Sequence, residues 1–166
     1  MKLLRPRSLR IALYGCLIIF VFITSMSMAA DQELILGLWH TPDKDSKIEI
    51  FICGDYYCGR IAWLQEPDYP PDDKGGMAGK PQIDRNNPDP HLRTRPLINL
   101  NILEGFIYMG DNLWAKGNIY NPEDGQFYKG KMKLATPSRL EVRGFIGISL
   151  FGGTSVWTRE SIKDKN

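Results

Sequence analysis

A phenol–carboxylate group in the stretch NIYNPEDGQFYKG is the first feature of this 166-residue chain that could do chemistry. Asp124, with Tyr120 and Tyr128 on either side, could act as a catalytic carboxylate among phenols. The same stretch satisfies a β-hairpin turn, since Pro122 fixes φ at its start and Gly125 accepts a positive φ at its end. Because the turn explains Asp124 without a catalytic role, we predict a hairpin with Tyr120 and Tyr128 opposite each other on its two strands.

A second candidate group lies in the segment DRNNPDPHLRTRP, where Asp84, Arg93 and Arg95 surround His91, one of two histidines in the chain. These side chains could form a mixed-charge ligand site, or they could be ion pairs that anchor a loop. An enzyme with Asp84 or His91 as general base is a weaker alternative, because no second group at a defined spacing supports it. The oxygen-rich DRNNPD lacks the spacing, glycine and distal glutamate of a calcium loop, so we predict no metal and no cofactor.

Cys53 and Cys58 lie on either side of the tetrapeptide GDYY, between two segments with strand patterns. A four-residue loop brings two cysteines side by side across a hairpin, near the separation that a disulfide requires. Free thiols and a metal site are the alternatives, although two thiolates need further ligands and no histidine is near. We predict a disulfide, whose short loop limits its contribution to the free energy of unfolding to about 2 kcal/mol.

The N-terminal thirty residues have the parts of a secretory signal peptide: the basic MKLLRPRSLR, the apolar IALYGCLIIFVFI and the small-residue exit TSMSMAA. We expect cleavage after Ala29 or Ala30, which leaves residues 31–166 as one domain in the periplasm or outside the cell. A retained membrane anchor is the alternative, because the apolar run approaches spanning length.

The export signal also accounts for the apparent basicity of the chain. Residues 1–30 hold four of the 21 basic residues and none of the 19 acidic ones, so residues 31–166 have 17 basic and 19 acidic residues. A nucleic-acid partner needs a clustered positive surface that replaces condensed counterions, and the composition gives it no support. We expect no membrane span after cleavage, and the oligomeric state is not predicted.

Residues 31–166 read as short strands joined by turns. In KIEIFIC, GKMKL and RLEVRGFI, apolar residues alternate with polar ones, which is the period of a strand with one buried face. About eight such strands predict an all-β fold, either a small closed antiparallel barrel, which hides its edges, or a flattened sandwich.

One long segment interrupts this pattern. Residues 65–96 contain seven of the eleven prolines, and a loop of this length in a compact domain is often functional. We expect its acidic first half to be solvated and mobile and its second half, with the charged side chains described above, to be ordered.

Several segments together resemble a bacterial exported family called domain of unknown function 2147: GLWHTP, CGDYYCGRIAWL, DRNNPDPHLRTRPLINLNIL, NLWAKGNIYNPEDGQFYKGKMKL and LEVRGFIGISLFGGTSVWTR. The resemblance covers about residues 36–159 and implies a lipocalin-like antiparallel barrel without an established reaction. It also implies that Arg159 stacks on Trp39 and closes the end of the barrel, a structural role. Gly152-Gly153 departs from the family's Gly-Arg and removes one charge.

These observations favour a non-enzymatic, exported barrel that binds a small molecule or a cell-envelope component at its open end. The ligand-binding candidates are Asp84, His91, Arg93 and Arg95 from the long loop, with Trp114, Tyr120 and Tyr128 as aromatic walls. An envelope protein–protein interaction module is one alternative, in which the strand LFGGTSVW shares its edge with a partner. A hydrolase that uses the 84–95 loop is the other.

Overall fold

The computed structural model describes residues 31–147 and 152–159. The chain divides into two units, Met1–Leu34 and Ile35–Asn166. In the first unit, residues 31–33 form one helical turn, and the predicted signal peptide lies outside the described residues. No helix within the described part of the chain is long and apolar enough to cross a membrane.

Eight antiparallel strands, each hydrogen-bonded to the next along the chain, build the second unit. The last strand also pairs with the first, so the sheet closes into a barrel and the predicted all-β barrel is confirmed. The strands are β1 (Gly37–His40), β2 (Ser46–Cys53), β3 (Tyr56–Leu64), β4 (Asn101–Tyr108), β5 (Leu113–Asn121), β6 (Gln126–Thr136), β7 (Arg139–Phe145) and β8 (Gly152–Arg159). A 3₁₀ helix at Pro90–Leu92 lies between β3 and β4.

Arg159 closes the barrel where β8 meets β1. Its guanidinium carbon lies 4.2 Å from the centroid of the Trp39 ring. The same guanidinium donates to the carbonyl oxygens of Leu36 and Pro137, each at 2.8 Å. Trp39 is fully buried and donates its indole N–H to the carbonyl of Ile35 at 2.8 Å. The pair therefore holds three segments of chain together at this end, which is a structural role.

Large apolar side chains fill the middle of the barrel, and glycines in the wall make room for them. A Cβ placed on Gly130 would lie 2.5 Å from the Phe106 ring, and one on Gly59 would lie 2.7 Å from Leu103. Phe106 and Leu103 are both fully buried. Because carbon atoms do not approach so closely, the positions opposite these side chains accept only glycine without rearrangement. Among the described residues, the centre of the barrel is therefore packed around these side chains.

The two ends of the barrel differ. At one end, the Cys53–Cys58 disulfide crosses the β2–β3 hairpin with a Cα–Cα distance of 5.9 Å, so the predicted bridge is confirmed. At the other end lie the β1–β2 turn, the long β3–β4 loop and the β5–β6 turn. We call this second end the mouth.

The β5–β6 hairpin corrects one expectation. Its turn occupies residues 122–125, with Gly125 at φ 69° and its N–H donating to the Asn121 carbonyl at 2.9 Å. The register pairs Tyr120 with Phe127 and Ile119 with Tyr128. The prediction that Tyr120 and Tyr128 lie opposite each other was therefore wrong. They differ by one position in register, and one position places side chains on opposite faces of a strand pair.

The first half of the long loop is mostly exposed, as expected of a solvated segment, but specific contacts also hold it. Tyr69 is buried, and its hydroxyl donates to the Ile83 carbonyl at 3.0 Å. Arg85 lies with its guanidinium carbon 3.6 Å from the centroid of the Tyr69 ring and forms an ion pair with Asp73 at 2.8 Å. An aromatic anchor, which composition alone does not reveal, fastens this half of the loop to the second half.

Candidate functional site

A cavity of about 510 Å³ opens at the mouth. The β1–β2 turn, both ends of the long loop and the β5–β6 turn contribute to its wall. We call it the mouth cavity, and it is lined by Thr41, Asp45, Ser46, Ile48, Ile61, Leu64, Gln65, Glu66, Gln82, Leu97, Ile102, Asn121, Pro122 and Glu123. A space of this size takes one small molecule.

The lining divides into an apolar part and a polar rim. Ile48 and Ile61 are buried cross-strand partners on β2 and β3, and both belong to the barrel core. The rim carries three exposed carboxylates, Asp45, Glu66 and Glu123. An apolar surface next to a few polar groups is the usual composition of a small-molecule site.

Hydrogen bonds fix the rim to the barrel. Oδ1 of Asp45 accepts from the Thr41 hydroxyl at 2.8 Å and from the Ser46 hydroxyl at 3.1 Å. The Gln82 amide donates to the Glu66 carbonyl at 2.8 Å, which joins the start of the long loop to its middle. These bonds engage the backbone and one oxygen of Asp45, so the carboxylates remain able to accept from a ligand.

The electrostatics of the mouth cavity are one-sided. Its lining holds three carboxylates, and none of the described lining residues is basic. Across the described residues, no group of three or more His, Cys, Asp or Glu side chains is arranged to hold a metal ion. The rim is therefore a dispersed negative surface.

A separate polar cluster lies under the long loop on the outer face of β5. Asp84 is fully buried and accepts three hydrogen bonds: from the Tyr120 hydroxyl at 2.5 Å, the Asn87 amide at 2.7 Å and the Arg95 guanidinium at 2.8 Å. Asn87 also donates to the Tyr120 oxygen at 3.1 Å. We call these four residues the Asp84 cluster. It joins the loop to the sheet through three buried side chains and the Arg95 side chain, which is 42% exposed.

Burial first, and the hydrogen bond to Asp84 second, raise the pKa of Tyr120 to about 12. The phenol therefore stays protonated and acts as a donor at ordinary pH. Together with the Arg95 ion pair, this donor compensates the buried charge of Asp84, which would otherwise be costly. The geometry describes an anchor for the loop, and Asp84 has no open face for a substrate.

Three of the four cluster residues, Asn87, Arg95 and Tyr120, also border a groove of about 140 Å³ on the outside of the barrel. Phe127 lies in its wall and is 60% exposed, with its ring centroid 4.7 Å from that of Tyr120. This groove is much smaller than the mouth cavity and has less room for a ligand.

The other candidates from the sequence lie apart from one another. His91 is exposed on the 3₁₀ helix, and Arg93 is exposed and donates to the Asn87 carbonyl at 2.7 Å. Trp114 is fully buried in the core, with its ring centroid 6.0 Å from that of Tyr57. None of the seven predicted ligand-binding residues lines the mouth cavity.

Tyr128 and Asp124 contact each other within the β5–β6 hairpin. The Tyr128 hydroxyl donates to Oδ2 of Asp124 at 2.7 Å. Burial opposes ionisation of Asp124, but this bond and the bonds from Gln126 and Asn121 together lower its pKa. The Tyr128–Asp124 bond raises the pKa of the phenol. These contacts close the turn, as the turn interpretation of this stretch requires.

Sequence reasoning missed the rim carboxylates. Asp45 lies in TPDKDSK, Glu66 follows β3, and Glu123 lies in the NPEDGQ turn. Each sits in a segment with a turn or loop pattern, and such a pattern by itself indicates no function. Their common property is position: alternate connections of an up-and-down barrel converge at one end, which predicts that the three segments meet.

The alternative in which a strand edge is shared with a partner concerns β8, which overlaps the segment LFGGTSVW. From Gly152 to Arg159, β8 pairs with β7, whereas its pairing with β1 covers Trp39 with Arg159 and His40 with Thr158. Leu150 and Phe151 lie outside the described residues.

Comparison with known proteins gives a family and a fold. The family model "Uncharacterized protein conserved in bacteria (DUF2147)" matches residues 37–159. Among solved structures, the chain is similar to protein HP1028 from the human pathogen Helicobacter pylori, which belongs to the lipocalin family. The TM-score is 0.65 at 22% identity, over 78% of this chain and 85% of that one. The comparison with curated proteins found no match. A similarity at this identity shows a lipocalin-like fold, and the family match shows that the chain belongs to the bacterial family DUF2147.

Proposed function

We propose that the protein is an exported binding protein that holds one small amphipathic cation in the mouth cavity without catalysis. One observation carries the proposal: a cavity of about 510 Å³ with isoleucines and leucines in its wall and three carboxylates but no described basic residue on its lining. A molecule with an apolar body and an ammonium or guanidinium group complements both parts.

The apolar contact supplies most of the affinity in this proposal. Each methylene group that leaves water contributes about 0.8 kcal/mol, so five of them contribute roughly 4 kcal/mol. An exposed ion pair contributes about 0 to 1 kcal/mol, because water and salt screen it. The carboxylates of the rim therefore select the sign of the ligand's charge more than they strengthen its binding.

The packed centre limits the length of the ligand. Phe106 and Leu103 occupy the middle of the barrel against glycines of the wall. In the part of the barrel that the structure describes, these side chains block a long acyl chain, whereas a short alkyl or aryl group reaches Ile48 and Ile61. The ligand class is therefore a short amphipathic amine.

The absence of a suitable reactive pair favours binding over catalysis. The described lining of the mouth cavity contains no histidine, cysteine, lysine or tyrosine. The proposed bases of the hydrolase alternative lie elsewhere, Asp84 buried in its cluster and His91 exposed on the 3₁₀ helix.

Export is supported by two independent features. The N-terminal thirty residues carry the basic, apolar and small-residue segments of a signal peptide. The Cys53–Cys58 disulfide is typical of oxidising compartments, such as the periplasm. The intact mass of the protein from its own host tests both at once, since it reports the cleavage position and the state of the cysteines.

The binding experiment compares two probes of matched length, n-hexylamine and hexanoate, by calorimetric titration of the protein. We expect the amine to bind and hexanoate to bind at least about tenfold more weakly, because three carboxylates repel it. The triple variant Asp45→Asn, Glu66→Gln, Glu123→Gln should reduce the preference for the amine to near unity.

The matched control removes three carboxylates outside the cavity, through Asp43→Asn, Asp55→Asn and Asp72→Asn, which are all exposed. It changes the net charge equally and should leave the preference unchanged. Equal binding of the two probes, or an equal loss in the control, would contradict the proposal. As a separate test, native mass spectrometry of protein purified from its own host should show whether a bound ligand is lost on denaturation.

A further inference from the structure

The outer face of β6 and β7 concentrates positive charge that the mouth cavity does not use. In β6, three lysines alternate with the buried Met132 and Leu134. In β7, two arginines alternate with the buried Leu140 and Val142. Alternation along a strand sends the two sets to opposite faces, so these cations point away from the core. We call this surface the basic face, formed by Lys129, Lys131, Lys133, Arg139 and Arg143.

Little negative charge balances the basic face. On the outward positions of these two strands, from residue 129 to residue 143, one carboxylate accompanies the five cations. This is Glu141, which Arg139 engages at 3.3 Å. None of the three lysines forms an ion pair with a described residue. Since residues 31–166 have more acidic than basic residues, the positive charge is segregated on one side of the barrel.

The strand register adds to this charge concentration. Lys131 lies directly opposite Arg143 across β6 and β7. Like charges in such a pair are destabilising, so folding alone does not explain the arrangement. A depression of about 330 Å³ lies between them, lined by Leu113, Lys131, Lys133, Glu141, Arg143 and Thr154. Arg143 donates to the Thr154 hydroxyl at 2.9 Å, which places its guanidinium at the edge of this depression.

We propose that the basic face docks on an anionic phospholipid bilayer, with phosphate headgroups between Lys131 and Arg143. Each lysine or arginine near an anionic membrane contributes about 1 kcal/mol to association. The inference is independent of the ligand that the mouth cavity holds. It would, however, set the mouth next to the lipid surface.

Exposed apolar side chains at the mouth end favour a bilayer over a soluble polyanion. Phe127, at the start of β6, is 60% exposed, and Ile146, immediately after β7, is 68% exposed. The surface of a peripheral membrane protein typically combines cations with apolar side chains that enter the headgroup region. A single-stranded nucleic acid instead requires aromatic rings interleaved with the cations, and none stands between Lys129 and Lys133.

The test is sedimentation of the host-purified protein with vesicles of phosphatidylglycerol or of phosphatidylcholine, at low and high salt. We expect binding to the anionic vesicles that weakens at high salt, and little binding to the neutral ones. Lys131→Glu with Arg143→Glu should weaken binding at least about tenfold. Ile146→Ser should weaken it a few-fold without changing its dependence on salt.

The control is Lys74→Glu with Lys80→Glu, which changes the net charge equally through two exposed lysines of the long loop. It should bind as the unchanged protein does. Thermal unfolding of each variant verifies that the barrel is intact. The milder pair Lys131→Gln with Arg143→Gln should bind the anionic vesicles more weakly than the unchanged protein and more strongly than the pair of glutamate substitutions. Equal binding to both lipids, as a retained N-terminal anchor would give, or an equal effect of the control pair, would overturn the proposal.

Discussion

The Asp84 cluster and the mouth cavity place carboxylates near the same end of the barrel in opposite circumstances. Asp84 is fully buried and satisfied by Tyr120, Asn87 and Arg95. The three rim carboxylates are exposed, and Glu66 and Glu123 make no side-chain hydrogen bond with a described residue. The difference teaches that charged residues close together in a sequence can serve to hold the fold together. Carboxylates that are scattered among turns can instead remain available to a ligand.

The energetic consequences should differ in the same way. Removing one member of a buried network leaves its partners unpaired in a medium where that is costly. Removing an exposed carboxylate leaves nothing unpaired, because water replaces its interactions. Three measurements of stability separate the two regions.

The largest effect should come from Asp84→Ala. The substitution leaves the Tyr120 hydroxyl, the Asn87 amide and the Arg95 guanidinium without their common acceptor, which should lower the free energy of unfolding by about 3 to 5 kcal/mol. Urea unfolding followed by circular dichroism measures it. Asp45→Ala is the matched control and should change stability by less than about 1 kcal/mol. Similar losses for the two variants would show that the distinction between the regions is wrong.

A smaller effect should appear at high pH. The pKa of Tyr120 in the folded protein is raised to about 12 from the ordinary 10.0, so folding favours the neutral phenol. The resulting stability is fully present below about pH 10 and is lost as the pH rises through about 12, a change of roughly 2 to 3 kcal/mol. The difference in unfolding free energy between the unchanged protein and Tyr120→Phe should therefore shrink over this range. A difference that stays constant with pH would show that ionisation of the Tyr120 phenol does not affect the free energy of unfolding.

The smallest effect on stability should follow from neutralising the rim. Glu123→Gln should change the unfolding free energy by less than about 0.5 kcal/mol, since the side chain is exposed. The same variant should weaken binding of a short amine by a measurable factor. A large loss of stability would mean that Glu123 has a structural role comparable to that of Asp84.

The architecture could be predicted from the sequence because the alternation of apolar and polar residues is visible within each strand. Alternation in KIEIFIC and RLEVRGFI predicted faces that the barrel has, for example Ile48 and Ile50 within the core, although Ile52 in the same alternation is 52% exposed at the end of β2. The β5–β6 turn was accessible because Pro122 and Gly125 are required by backbone geometry. Closure between β1 and β8 came from the family resemblance, because no local pattern encodes a pairing across 120 residues.

The site was harder to predict because it depends on the register between strands and on which connections meet at the same end of the barrel. A turn of four residues sets Tyr120 against Phe127, and a shift of one residue would have set it against Tyr128. The bulge near Lys116, which has φ 66°, similarly changes which face each later residue of β5 occupies. Asp45, Glu66 and Glu123 come from three connections far apart in sequence, so only the closed barrel reveals that they share one cavity.

The β5–β6 turn belongs to both regions. The Asn86 amide, from the long loop, donates to the carbonyls of Pro122 and Glu123 at 3.2 and 2.8 Å, and the Asn86 carbonyl fits where Gly125 has no Cβ. A ligand held by Glu123 and a loop docked on the same turn would obey thermodynamic reciprocity: if one favours the other by some factor, the converse holds with the same factor. Amide hydrogen exchange at residues 84–87 would then report whether the mouth is occupied, without any probe on the ligand itself.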